Sequence, residues 1–289
     1  MSANQTGNTK EGRAQMLGGE FDGSVLSLEE ALRKVGVSPR QVWDRFRTDA
    51  RFSERTAKFL LRGGLDLPAD LRAVRLLMGQ NFFGPEEWLS FYDETVSSRL
   101  LRRTKFPWGE DVLDGPCSFN PGKNVRETHV AFLGLSLLGG KPLTILRWHE
   151  LHPKSTGQQP FFYFDQNPWY AGEGYAKDMT LEARWHLVLR EVVPGSVGVG
   201  HEEQVKLLPA EYEVSAMVTE VSKNILSFRR TGVRPNQTIW VRCQERTSNG
   251  LLSLAGGWDG DGLGVDDWHG RAYGGVGMGA SRKLPPKAA

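Results

Sequence analysis

The chain has 289 residues, 39% of them hydrophobic and 10% aromatic with nine Trp, which is enough for a sizeable core and excludes wholesale disorder. Thirty-six basic residues face 34 acidic ones, a net charge of +2, so the composition carries no nucleic-acid footprint. The two cysteines, Cys117 and Cys243, lie far apart, build no metal motif and are expected to be buried free thiols.

Residues 1–24 are polar and lack the apolar run of a signal peptide. The longest apolar stretch, Val130 to Leu138, is too short to span a bilayer and is interrupted by glycine. The expectation is a soluble protein without membrane insertion, cytoplasmic or virion-associated.

From residue 25 to 104 the pattern is helical. Ser27 is placed to cap a first helix that carries Leu28, Leu32 and Val35 and ends at Gly36. Ser38-Pro39 opens a second, with Val42, Trp43 and Phe46 as its stripe. A third runs from Glu54 to Leu61, a fourth from Pro68 to Met78, and a fifth from Gly84-Pro85 with Trp88, Leu89, Tyr92 and Val96 on one face. Arg99, Arg102, Arg103 and Lys105 close this module as a basic helix terminus, with phosphate binding as the sharper alternative.

From Phe106 onward proline, glycine and tryptophan become dense. Strands are expected over His129–Leu138, Leu143–Trp148, Phe161–Phe164, within Leu181–Val193, and over Ile239–Cys243. Pro209–Arg230 reads as one helix with an apolar stripe of Val214, Met217, Val218, Val221, Ile225 and Phe228.

Three chemical motifs fail on spacing. His149-Glu150-Leu151-His152 sets its histidines three apart, not the four that a zinc helix needs, and precedes Pro153. Asp259-Gly-Asp261-Gly begins like a calcium loop, but the fifth and twelfth loop positions hold Leu263 and Gly270. The glycine patterns at 260–264 and 275–279 lack the strand and helix of a dinucleotide fingerprint. No metal or cofactor is expected, and no arrangement compels an enzyme.

The tail, about 241–283, concentrates the signal: eleven of the chain's 34 glycines fall between Gly250 and Gly279. The strand WVRC (Trp240–Cys243), the core GGWDGDGLGVDDW (Gly256–Trp268), the patch HGRAYGG and the closing GVGMGASRK (Gly275–Lys283) resemble the variable proteins of diversity-generating retroelements. The helix-like EYEVSAMVTEVSKNILSFRRTGV upstream extends the likeness to about residues 112–289. The resemblance implies an α+β, C-type-lectin-like (formylglycine-generating-enzyme-like) domain over 105–289, after a small all-α module. Its last segment would be rewritten by adenine-specific mutagenesis.

On that resemblance Leu252, Leu254, Leu263, Val265, Val276 and Ala280 are scaffold. Asp259, Asp261, Asp266, Asp267, His269, Arg271 and Tyr273 are display positions, with Trp258 and Trp268 fixed at or beside the surface. The implied function is non-catalytic binding of a protein or cell-surface molecule. Tyr and Trp with Asp, Ser and Gly are also, on physical grounds, what a binding surface uses. The alternatives are a cysteine-modifying oxidase on a related fold, which needs Cys117 and Cys243 together, and a nucleic-acid adaptor using Arg45, Arg47 and the basic cluster at 99–105.

Overall fold

A computed structural model describes residues 23–34, 36–61, 70–153, 167–259 and 262–286. The expected strand at Phe161–Phe164 and most of the N-terminal arm lie outside them. The chain divides into two compact units, residues 1–64 and 65–289. The expected boundary at 104/105 therefore falls inside the second unit.

The first unit holds helices α1 (23–34), α2 (Pro39–Thr48) and α3 (Ala50–Leu61). Ser27 does not cap α1; it sits one turn inside and donates to Gly23 O at 3.0 Å. Ser38 and Pro39 do open α2, with proline at the first helical position, where no N–H is needed. Phe46 bridges Trp43 and Phe52, with ring centroids 5.6 and 5.0 Å away.

In the second unit, α4 (Leu71–Met78) is capped by Asp70, which accepts from Arg72 N. Helix α5 (Pro85–Tyr92) starts after Gly84, whose N–H donates to Glu87 Oε2 at 2.8 Å. It stops at Asp93 in the left-handed region (φ 52°), so Val96 is not on it, and Leu89 points outward. A separate α6 (Ser98–Arg103) follows.

The strands form a five-stranded and a four-stranded sheet. The first has the order β1 (Phe82–Phe83), β2 (His129–Leu133), β3 (Trp185–Leu189), β9 (Ala280–Arg282), β4 (Tyr212–Val214). The second has the order β7 (Gly262–Trp268), β6 (Leu252–Asp259), β5 (Trp240–Arg246), β8 (Val276–Met278). Strands β2 and β3 are buried throughout and are apolar except for His129 and His186. Two-stranded ribbons at 116–124 and 137–142 complete the β structure among the described residues. The mixed α+β class is as expected.

Leu143–Trp148 is not a strand. Thr144 accepts from Arg147 N and starts α7 (Ile145–Leu151), which contains His149. The helix expected over Pro209–Arg230 is shorter, because 212–214 pair as β4 and only Met217–Thr231 coil into α9. Val214 is therefore on β4 and the apolar stripe on the helix begins at Met217, but the opposite face is buried too: Glu220, Ser222, Lys223 and Asn224 are all 0% exposed. Glu220 and Lys223 neutralise each other at 2.5 Å, Lys223 Nζ donates to Leu189 O, and Ser222 Oγ accepts from Trp148 Nε1 at 2.8 Å. A helix buried all round must pair its charges in this way. Gly279, where the chain passes from β8 to β9, leaves room for it: a Cβ there would stand 2.5 Å from Glu220 Oε1.

Removing one charge of that pair strands the other. Lys223→Met is expected to cost about 3–5 kcal/mol in urea unfolding, and adding Glu220→Gln to recover a large part. A single-variant loss below about 1 kcal/mol would contradict the pairing.

Three of the buried histidines make the fold acid-sensitive. Burial, with nearby Arg282 and Lys223, depresses His129 from 6.5 to about 3; burial lowers His152 and His186 to about 4. Val125 O can only accept, so His129 Nδ1 carries the proton and Nε2 accepts from the Tyr212 hydroxyl at 3.0 Å. The unfolded chain protonates these rings below about 6.5 while the fold does not. Stability is thus complete above pH 6.5 and is lost as pH falls from there toward 4, by about 1.4 kcal/mol per unit for each ring. Unfolding midpoints measured from pH 7.5 to 4.5 should show that decline, and His186→Gln should shrink its slope.

Candidate ligand-binding face

The face is built on the second sheet. Strand alternation sends Val241 and Cys243 toward α9 and Arg242 to the opposite face. On that opposite face Trp240 lies across Gly257 and Gly264; a Cβ on either glycine would run into its ring. Leu252, Leu254, Leu263, Val265, Val276 and Ala280 are all buried, at 0–3% exposure. They lie inside, as the resemblance implied.

The display residues do not behave alike. Asp266, His269, Arg271 and Tyr273 are exposed, while Asp267 and Trp268 are half-buried. They come together in the end of β7 and the segment after it. Trp268 packs against His269 and Tyr273 with centroid distances of 4.8 and 5.0 Å. Partial burial, with Asp266 beside it, raises the Asp267 carboxyl above the ordinary aspartate value. Trp258 is not at the surface: it is 4% exposed and stacks on Phe228 at 5.3 Å, inside the main core. The Asp259 side chain and Asp261 fall outside the described residues.

Sequence reasoning missed the group that holds this segment. Arg242 is fully buried. Its Nη2 donates to His269 O at 3.0 Å and Arg271 O at 2.6 Å, and its Nη1 to Gln204 Oε1 at 2.7 Å and, longer, Val199 O at 3.4 Å. Gln204, also buried, donates to Ser196 O at 2.7 Å. Helix α8 (His201–Lys206) adds His201 N to Gly270 O at 2.8 Å, and Trp240 N reaches Gly275 O at 2.8 Å. The arginine in V-R-C was the available signal: flanked by two inward residues, it needs its own cover on the far side.

The loop carrying Trp169 lies along edge strand β7, with Trp169 Nε1 donating to Val265 O at 3.1 Å. Glu173 fastens the β5–β6 turn by accepting from Ser248 N and Oγ, both at 2.8 Å. Trp169 is 41% exposed and is absent from the expected site.

The competing motifs are placed elsewhere. His149 is buried in α7, and His152 stacks on Trp148 and meets the Tyr92 hydroxyl at 3.1 Å. They are packed helix-end histidines. Among the described residues no group of three His, Cys, Asp or Glu is arranged to hold a metal. Cys117 and Cys243 are free and buried; burial, with Glu220 and Glu245 near, pushes the Cys243 thiol well above its usual value. That environment disfavours the thiolate. Arg99, Arg102, Arg103 and Lys105 are exposed around the end of α6. No helix among the described residues is long and apolar enough to cross a membrane.

Arg242 and the exposed residues should separate in stability measurements. Arg242→Met strips the hydrogen bonds from Gln204 and two loop carbonyls and is expected to cost about 3 kcal/mol or more, with Arg242→Lys recovering only part. Asp266→Ser and Arg271→Ser should each change unfolding free energy by no more than about 0.5 kcal/mol. Urea titrations giving equal losses would remove the distinction.

Searched against protein-family models, curated proteins and solved structures, the chain matches none.

Proposed function

We propose that the chain is a non-catalytic ligand-binding protein that presents a diversified surface at its C-terminus, on a C-type-lectin-like domain, as the target of retroelement-driven mutagenesis. The observation that carries this reading is how the segment 269–275 is held. Arg242 grips the carbonyls of His269 and Arg271, His201 N the carbonyl of Gly270, and Trp240 N that of Gly275. Every one of these hydrogen bonds is to backbone. The side chains of His269, Arg271 and Tyr273 are left exposed and take no part in the anchoring. Such a segment can change its side chains and keep its path.

The surface chemistry fits a macromolecular ligand. Tyr273 and Trp268 give large contact area at small entropic cost, and Asp266, Asp267 and Arg271 supply directional polar contacts around them. The partner is therefore a protein or cell-surface molecule.

Two measurements test the reading. The DNA beside the gene should contain an imperfect copy of its 3′ end, differing mainly at adenines and adjoining a reverse transcriptase; related loci with neither that copy nor clustered variation at 266–273 would sink the retroelement assignment. Independently, a library randomised at Asp266, Asp267, His269, Arg271 and Tyr273 should fold in most members. The same treatment of Leu252, Leu254, Leu263, Val265 and Val276 should leave few folded, since each buried aliphatic lost costs about 2–5 kcal/mol. Equal folded fractions would end the division into scaffold and display.

A further inference from the structure

Of the residues that anchor the segment 269–275, one can take up a proton. His201 opens α8, and its N–H donates to Gly270 O at 2.8 Å. Arg242 closes around the same place. It donates to Val199 O and Gln204 Oε1, before and after His201 in the chain, and to His269 O and Arg271 O, before and after Gly270. The contact between His201 and Gly270 is thus bracketed by the acceptors of one buried guanidinium.

The half-buried His201 ring is poorly placed to carry a charge there. Its Nδ1 is closed off from solvent and makes no hydrogen bond. In the neutral ring only a lone pair sits at that nitrogen, with the hydrogen on Nε2. In the imidazolium both nitrogens are donors, so the closed arrangement would hold an unsatisfied N–H as well as a second cation near Arg242. The charged groups acting on the ring are Arg242 and Arg246 from β5 and Glu202 from its own helix. From the anchored segment the ring meets backbone at Gly270, while the side chains of His269 and Arg271 are exposed. Glu202 is exposed as well, and solvent weakens its pull. Burial, then Arg242 and Arg246, accordingly hold His201 below the ordinary 6.5.

Opening the segment lifts this penalty, because the ring then meets water and titrates as an ordinary histidine. The open form therefore binds the proton that the closed form refuses. Anchoring is complete above about pH 6.5 and weakens as pH falls below it.

We infer that His201 is an acid switch: its protonation releases the segment 269–275 from Arg242. The switch needs only the anchoring, and it stands or falls separately from the ligand-binding reading.

Amide hydrogen exchange of the full chain tests it, read residue by residue by NMR and corrected for the intrinsic pH dependence of exchange. The amides of His201 and Trp240 lose their acceptors, Gly270 O and Gly275 O, when the segment leaves. From pH 7.5 to 5.5 their protection should fall about three- to tenfold, as linkage of opening to one proton requires. His201→Gln keeps the backbone N–H and should flatten that fall, while the amides of β3 retain the pH dependence set by the other buried histidines. His269→Gln should behave like the parent. Constant protection of both amides in the parent, an equal fall in His201→Gln, or loss of the fall in His269→Gln would each overturn the switch. The first of these outcomes needs no variant to fold.

Discussion

A guanidinium withdrawn from water is among the more expensive groups a fold can bury, and Arg242 is withdrawn completely. The cost is met because the planar fork reaches several acceptors in fixed directions. Those acceptors belong to two separate stretches of chain, Val199 to Gln204 and His269 to Arg271. One side chain on β5 therefore settles where two loop regions lie. Gln204 extends the arrangement to Ser196 O, and Ser196 Oγ accepts from Met278 N at 3.0 Å, so edge strand β8 is tied into the same network. Removing the arginine would take the donor from the buried Gln204 Oε1 and from the part-buried carbonyls of Val199, His269 and Arg271 at once.

The opposite face of the same sheet rests on α9, where the constraint is of the same kind. Glu220 and Lys223 would be intolerable there singly, and three residues apart on one helix they neutralise each other. Gly279 lets the chain run past Glu220 on its way from β8 to β9. The four-stranded sheet thus lies between the buried Arg242 and the buried Glu220–Lys223 pair, each compensated by partners within the fold. Neither touches the side chains of His269, Arg271 or Tyr273. The segment 269–275 is fixed in position by hydrogen bonds to its backbone carbonyls.

Leu252, Leu254, Leu263, Val265, Val276 and Ala280, which the resemblance implied as scaffold, are all inside, where apolar side chains belong. Errors arose where tertiary packing overrode local pattern. Trp258, set among glycines and aspartates, resembles a loop residue, yet it fills the space against Phe228. Glu220 and Lys223 have the spacing of a solvated helix pair and gave no hint that a second layer covers them. Leu143–Trp148 is apolar enough for a strand, and its helical start depends on one Thr144 hydroxyl. The anchoring role of Arg242 depends on partners 27 and 29 residues downstream and 38 residues upstream, distances over which no local pattern operates. Asp266, His269, Arg271 and Tyr273, which the resemblance implied as display positions, are exposed.

The separation has an energetic consequence. A domain of this size has a net stability of only about 5–15 kcal/mol, and a typical exposed substitution moves that by no more than about 0.5 kcal/mol. Five simultaneous changes on the exposed segment would then amount to about 2.5 kcal/mol at worst, which such a fold survives. Were the segment held through its side chains, each change would also forfeit a hydrogen bond and leave a buried partner unsatisfied, at about 1–3 kcal/mol apiece. Five such losses would exhaust the stability. Backbone anchoring by Arg242, His201 N and Trp240 N keeps the cost of altering the surface in the first regime. It is the physical condition under which a binding face can be rewritten without unfolding the protein that carries it.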